Sequence, residues 1–241
     1  MQSVSLCNLG STRYAETWEL QKKIFDLRVK QNISDVLLLN EHQHVYTLGK
    51  SSDANHLLSN SDELLSKNID MFEIDRGGDV TYHGPGQIVG YPILDLNNYY
   101  NDIHRYLRDL EEVIIRTLAE FGIKGTRDEA YTGVWVGNNK IAAIGVKVSR
   151  WVTMHGFALN VSTDLSYFDR IIPCGIFHKG VTSIECLLNG KVNLNEVNTI
   201  LVQKFSEVFN VRVVEKDREK FIELIHQLSK ESTVCVLQEN Q

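Results

Sequence analysis

The sequence predicts an α+β protein, and three observations carry that prediction. Many short stretches rich in β-branched and aromatic residues lie among a few helical periodicities, without the regular strand–helix alternation of a doubly wound sheet. The chain has 241 residues of which 43% are hydrophobic, the usage of an ordinary globular domain. No repeat or low-complexity linker divides it, so residues 1–228 are expected to form a single domain, followed over 229–241 by a polar, frayed tail.

Taken in order, Ser3–Leu9 reads as the first strand. Gly10-Ser11-Thr12 offers caps for a helix from about Tyr14 to Lys30, where Leu20, Ile24 and Leu27 recur at i, i+4 and i+7. Asp35–Asn40 and His44–Leu48 are expected strands, Gly49 to Asp62 a polar loop, and Glu63–Lys67 a short helix. Phe72–Ile74, Val80–Tyr82 and Ile88–Leu94 read as strands broken by Gly77-Gly78 and Gly84-Pro85-Gly86. Asp102–Phe121 is the clearest helix, with Tyr106, Leu110, Val113, Ile114 and Leu118 on one stripe and Gly122 as the stop. Thr132–Val136, Lys140–Val148 and Thr153–Val161 are strands, the first two joined through the turn formers Gly137-Asn138-Asn139. Beyond Ile176 the signals weaken. Asn193 starts a helix with Glu196 as a capping-box partner, Val211–Val214 suits a strand, and Asp217–Leu228 a last helix.

Charge and cysteine usage narrow the function. A net charge of −6 lacks the basic field of a general nucleic-acid binder. No apolar run approaches the ~20 residues of a membrane span. The opening MQSVSLCNLGSTRYAE lacks the basic region and apolar core of a signal peptide. Cys7, Cys174, Cys186 and Cys235 show no CxxC spacing and read as free thiols. A cytoplasmic protein with no nucleic-acid or membrane partner is the expectation. Cys174 and His178 stand four apart, yet no other ligands share that spacing, so no metal is expected.

The chemistry is sought between Tyr131 and Ile176. Cys174 lies in Pro173-Cys174-Gly175, a rigid-then-permissive loop that can present a thiol to a pocket. Lys140 opens a strand beside a tight turn and can be aimed at that thiol. Cys174 and Lys140 are therefore the candidate acyl-transfer pair. A lone cysteine is more often a small buried hydrophobe, and Cys7, Cys186 and Cys235 are placed in that class. His83 and His155 taken singly read as structural hydrogen-bonders. Gly77-Gly78 is not a P-loop, since neither GK[ST] nor GxGxxG is present.

Four segments together carry a resemblance. They are Arg76-Gly-Gly-Asp-Val-Thr-Tyr-His-Gly-Pro-Gly-Gln87, Lys140-Ile-Ala-Ala-Ile-Gly-Val-Lys147, His155-Gly-Phe-Ala-Leu-Asn160 and Ile172-Pro-Cys-Gly175. In this order, over most of the chain to about Asn210, the sequence resembles the lipoyl(octanoyl) transferase family. The resemblance implies the catalytic-domain fold of biotin and lipoate protein ligases, a mixed sheet flanked by helices. It implies transfer of an octanoyl group from acyl carrier protein to a lysine of lipoyl domains, those of 2-oxoacid dehydrogenase E2 subunits and of the glycine cleavage H protein, with no cofactor. It further implies that Cys174 bears the acyl thioester, that Lys140 lowers the thiol's pKa, and that the substrate site is lined by Arg76, Gly77, Gly78, Asp79, Val80, Thr81, Tyr82, His83, Ala143, Ile144, Gly145, Gly156, Phe157 and Ala158.

The chemistry suits these residue types. Moving an acyl group from a thioester to an amide runs downhill without ATP, whereas an ATP-dependent lipoate or biotin ligase, the competing reading on this fold, has no need of a cysteine nucleophile. A transferase moving octanoyl between two lipoyl domains is the third reading, and a non-catalytic adaptor binding acyl carrier protein the non-enzyme one. An unperturbed thiol with pKa ~8.5 is mostly protonated near neutrality, and a nearby cation favours thiolate. An acceptor amine of pKa ~10.4 costs roughly 4 kcal/mol to deprotonate near pH 7, a proton Lys140 can take. Gly175 N–H is a candidate oxyanion donor, Ile141–Ile144 with the glycine loops are expected to wall the acyl slot, and Arg76, Lys147, Arg150 and Lys179 are expected to form a basic docking patch.

Overall fold

The computed structural model describes residues 1–53, 56–58, 64, 67–172 and 179–239, with side chains as far as residue 232. Among these residues the larger sheet has eight strands. They are β1 (Gln2–Thr12), β2 (Asp35–His42), β6 (Gln87–Ile93), β7 (Val134–Val136), β8 (Asn139–Ser149), β9 (Val152–Asn160), β10 (Gly180–Val181) and β11 (Val211–Glu215). The order is β10-β8-β9-β6-β2-β1-β11, with β7 paired to β8 off that path. Pairings β10·β8, β2·β1 and β1·β11 are parallel; β8·β9, β9·β6, β6·β2 and β7·β8 are antiparallel. The sheet is thus mixed, as expected. A smaller sheet, order β4-β3-β5, comprises β3 (Val45–Leu48), β4 (Asp70–Glu73) and β5 (Thr81–His83).

Helices cover both faces of the large sheet. One face packs against α2 (Ile103–Ala119) and α4 (Leu194–Phe209), in a core that includes Leu37, Leu39, Leu110, Ile114, Leu201 and Phe205. The other packs against α1 (Tyr14–Val29) and α5 (Arg218–Glu239), through Leu20, Ile24, Val36, Leu38, Phe221 and Ile225. Side chains alternate across a strand, so β2 sends Val36 and Leu38 one way and Leu37 and Leu39 the other. With both faces covered, a continuous apolar run is what the position requires, and Val36-Leu37-Leu38-Leu39 supplies it.

Local chemistry sets the element ends, not always as expected. Thr12 does not cap α1: it ends β1, its hydroxyl bonds Thr17 Oγ1 at 2.8 Å, and Arg13 holds the cap position without a side-chain bond. Asp102 caps α2, accepting from Arg105 N–H at 3.0 Å, and Gly122 at φ +70° follows its end. Asn193 caps α4 by accepting from Asn195 N–H. The last helix continues past Leu228 to Glu239, because nothing in Ser229–Glu239 is Gly or Pro. A five-residue helix, α3 (Ile184–Leu188), is capped by Ser183 and had no counterpart in the sequence reading. Of the expected helix Glu63–Lys67, the described part is Leu64 in helical conformation and Lys67 in a turn.

Candidate active site

The site forms where the small sheet is clamped onto the large one. The clamp is the loop Arg76–Asp79. Arg76 Nη2 donates to Thr47 O at 2.7 Å and to Thr47 Oγ1 at 3.0 Å, while Gly77 N–H donates to Val146 O at 2.9 Å on β8. Arg76 O and Gly78 O accept from Lys50 N–H and Ser51 N–H. This close approach explains the glycines: a Cβ on Gly145 would lie 2.8 Å from Gly77 O. Asp79 accepts from Val80 N–H and pairs with His56 Nδ1. Arg76 is therefore a buried strut between sheets and not a surface charge.

A cavity of about 490 Å³ lies between this clamp and the β8–β9 hairpin, the size of a small-molecule site. The clamp and β5 contribute Arg76, Gly77, Gly78, Asp79, Val80, Thr81 and His83; β8 contributes Lys140, Ala143, Ile144 and Gly145; β9 contributes Gly156, Phe157 and Ala158. Three motif segments scattered over eighty residues of sequence thus share one cavity. Tyr82 does not line it. Strand alternation turns Tyr82 away from its neighbours Thr81 and His83 into the small sheet's core, where its hydroxyl meets His44 Nδ1 at 2.7 Å. Ile141 also faces away, into the core under α2.

Pro173, Cys174, Gly175 and His178 lie outside the described residues, so the thiol and the candidate oxyanion donor have no described geometry. Their neighbours do. Ile172 N–H donates to His56 O at 2.8 Å, and Val181 pairs opposite Lys140. Phe168 before the segment and Val181 after it both line the cavity.

Lys140 follows the two-residue turn Gly137-Asn138, whose glycine sits at φ +58°. Its Nζ lies over the Trp135 ring, 4.7 Å from the centroid, and Lys179 Nζ lies 4.4 Å from the same ring. The expected basic docking patch does not assemble as free charge. Lys147 Nζ is 2.6 Å from Asp75 Oδ2, Lys179 is paired with Asp128, and Arg76 is buried. Arg150 occupies the β8–β9 turn with Trp151, both at positive φ. The thiols also separate: Cys7 is buried and its pKa is pushed up to about 11, chiefly by burial, whereas Cys186 is exposed on α3, contrary to its reading as a buried hydrophobe.

The cavity also contains polar side chains that were not among the expected site residues, one of them His155, which was read as a structural hydrogen-bonder. Gln87, Asn160, Tyr14, Tyr131 and His155 all line it. Gln87 and Asn160 close two of the four motif segments, and that terminal position was the signal for them. Gln87 Oε1 lies 2.8 Å from His83 Nδ1; Gln87 Nε2 donates to Tyr82 O and to Asn160 Oδ1; Asn160 Nδ2 donates to Thr182 O at 3.0 Å. His83 is held neutral, its pKa depressed to about 4, first by burial and further by Arg76 and His155, against an opposing hydrogen bond to Gln87. His155, at φ +60° within β9, donates its backbone N–H to Gln21 Oε1, and its Nε2 is 2.9 Å from Asp75 Oδ1. Its pKa is lowered to about 4, mainly by burial, while Lys147 and His155 hold Asp75 down at about 2 against its own burial. The two shifts agree if a neutral His155 donates Nε2–H to the ionised carboxylate. No cluster of His, Cys, Asp and Glu suited to a metal occurs among the described residues, nor does a helix long and apolar enough to cross a membrane.

The comparisons with known proteins converge on one family. Residues 13–206 match the lipoyl protein ligase A/B catalytic domain. The chain is 52% identical over 229 residues to the octanoyltransferase of Christiangramia forsetii, covering 88% of this chain and 98% of that one. It is 50% identical over 230 residues to the octanoyltransferase of Flavobacterium johnsoniae, covering 88% and 99%. Among solved structures, that of a bipartite lipoate protein ligase with its E2 lipoyl domain from Thermoplasma acidophilum superposes with a TM-score of 0.71 at 17% identity, covering 95% of this chain and 93% of that one; this likeness speaks to the fold. The mixed sheet, the motif-lined cavity and these identities lead to one conclusion: the chain belongs to the octanoyltransferase family of enzymes, within the lipoyl protein ligase A/B catalytic domains.

Proposed function

We propose that the protein carries an octanoyl group from octanoyl-acyl carrier protein, through a thioester on Cys174, to lysines of the lipoyl domains of 2-oxoacid dehydrogenase E2 subunits and the glycine cleavage H protein. The observation that carries this is the single cavity into which Lys140 and three of the four motif segments converge, with the fourth, bearing Cys174, tethered at its described flanks by Ile172 and Val181. Phe168 and Val181, the described residues that line the cavity on either side of that segment in the sequence, support this reading.

The proton traffic closes on the pair. The Cys174 thiolate, favoured by the Lys140 ammonium, attacks the donor carbonyl carbon; the carrier's C–S bond breaks and its sulfur leaves with a proton from Lys140. Lys140 is then neutral and takes a proton from the incoming amine as nitrogen attacks. The C–N bond forms, the C–S bond to Cys174 breaks, and the thiolate–ammonium pair returns. Ala143, Ile144, Phe157 and Ala158 offer the acyl chain an apolar wall. The clamp loop Arg76–His83 shapes its polar entrance.

Intact-protein mass spectrometry after incubation with octanoyl-acyl carrier protein, without ATP, tests this reading. One octanoyl adduct on Cys174 is expected, and Cys174→Ala should abolish both adduct and transfer while the fold persists. Transfer that requires ATP, or an adduct mapping to Cys186, would overturn it.

A further inference from the structure

The network running from His83 to Thr182 permits only one assignment of its hydrogens. A backbone carbonyl can only accept. Asn160 must therefore turn its Nδ2 to Thr182 O, which leaves its Oδ1 facing Gln87 at 2.9 Å. Gln87 must in turn give Nε2 to Tyr82 O and Asn160 Oδ1, which leaves its Oε1 facing His83 Nδ1 at 2.8 Å. An amide oxygen cannot donate, so His83 Nδ1 carries the hydrogen. In the neutral ring Nε2 then holds a bare lone pair. Nothing among the described residues bonds to it, and His83 is part of the cavity wall.

From this geometry we propose that Gln87 and Asn160 are positioning residues that fix His83 in its Nδ1–H tautomer, so that His83 Nε2 accepts a hydrogen bond from the attacking amine in the acyl-transfer cavity. The proposal rests on the octanoyl-transfer reading and deepens it. Of the reacting groups, the thioester carbonyl only accepts; the amine is the one that brings N–H bonds needing an acceptor. Arg76, a cation on the same wall, cannot offer one, and the neutral Lys140 is taken up by the proton that the amine loses, so the second N–H needs another acceptor. The same chain of bonds reaches Lys140: Thr182 N–H donates to Lys140 O at 3.0 Å. Imidazole and lysine are thus registered against each other through Gln87, Asn160 and Thr182. During aminolysis the amine loses its proton to Lys140. His83 orients the nitrogen lone pair towards the carbonyl carbon through a second N–H and keeps no proton itself. Burial, which holds the ring neutral well below pH 7, keeps Nε2 an acceptor throughout the working range.

Two variants separate the ring's two nitrogens. His83→Asn retains an N–H at the Nδ1 position for Gln87 but has no acceptor where Nε2 was. His83→Gln retains an acceptor near the Nε2 position and loses the bond to Gln87. Octanoyl-acyl carrier protein as donor and a purified lipoyl domain as acceptor allow the acylation and transfer steps to be timed apart. For His83→Asn the ratio of transfer rate to acylation rate should fall about tenfold, the worth of one hydrogen bond, and His83→Gln should recover part of that ratio. Nitrogen-15 NMR of the histidine-labelled protein should show His83 neutral with Nδ1 protonated at pH 7, a preference that Gln87→Leu removes. An unchanged ratio in His83→Asn, or an Nε2–H ring in the wild type, would overturn the proposal. A wild type that forms no octanoyl adduct would instead defeat the reading beneath it, so the two failures are distinguishable.

Discussion

Two buried imidazoles stand 5.8 Å apart, centroid to centroid, both beside Tyr14, and they do opposite things. His42, at the end of β2, is completely enclosed. Its Nε2 meets Tyr91 OH at 2.6 Å, Asn40 Nδ2 lies within 3.2 Å of both ring nitrogens, and Thr12 Oγ1 approaches Nδ1. His83 is tied down at one nitrogen only and opens the other to the cavity. Both rings are kept neutral, His42 at about 3 and His83 at about 4, each first by burial. Burial and neutrality therefore do not distinguish a structural histidine from a working one. What does is whether every lone pair and N–H is satisfied within the fold.

The largest expected effect comes from breaking the enclosed network. His42→Ala leaves the buried Tyr91 hydroxyl without its imidazole partner and opens a void beside it, while Asn40 Nδ2 keeps Thr12 Oγ1 and Glu41 O. The expected loss is about 3 kcal/mol, or a fall of roughly 6–12 °C in Tm for a chain of this size. Turnover per folded molecule should change little, because His42 does not line the cavity. His83→Asn should do the reverse, lowering the transfer step with a small change in Tm. Calorimetry alongside kcat for both variants checks the contrast; a large loss of turnover in His42→Ala would erase it.

The sequence announced the second network only in part. The β8 hairpin was legible because Gly137-Asn138 is a turn signal, and it put Lys140 at a strand start. The core helix α2 was legible from its periodicity and its Asp102 cap. The role of Arg76 as a strut was not, since its partner Thr47 lies 29 residues away and no local pattern links them. Tyr82 was grouped with its motif neighbours although alternation on a three-residue strand sends it to the opposite side from Thr81 and His83. The ion pairs within the expected basic patch were hidden for a similar reason: Asp75 and Asp128, which engage Lys147 and Lys179, are 72 and 51 residues from them. Pairing across a sheet is set by register, and register is a property of the assembled fold.

A smaller, graded effect appears on acidification. His42, His83 and His155 all have folded pKa values below the ordinary 6.5, at about 3, 4 and 4. Between pH 6.5 and 4 the unfolded chain binds protons that the folded one refuses, so stability falls as pH falls. Each imidazole contributes at most about 1.4 kcal/mol per pH unit within its window. Asp75, depressed to about 2, adds its loss only below pH 3.8, outside a comparison made at pH 7 and 5. Urea unfolding at those two pH values should give a shallower dependence for His42→Phe, with the remaining slope belonging to His83, His155 and His44, whose pKa burial also lowers. An identical slope in the variant would mean that His42 takes up its proton in the folded state.

The smallest effect concerns the thiols, which divide as the imidazoles do. Cys7 sits in the core under α1 and α5, its thiol pushed up to about 11 mainly by burial, so an alkylating agent should not modify it while the protein is folded. Cys186 is exposed on α3 and should be labelled at once, which makes it an internal standard for reagent and access. Cys174 is the thiol expected to respond to Lys140. Removing that cation in Lys140→Ala withdraws its proposed support for the thiolate, so the pH at which Cys174 is alkylated should rise. The Cys186 profile should not move, since a change there would report a general effect on the fold. Peptide mapping after iodoacetamide treatment between pH 6 and 10 reads all three sites in one sample. Equal behaviour of Cys174 in wild type and variant would leave Lys140 as a proton carrier for the amine alone and remove it from activation of the thiol.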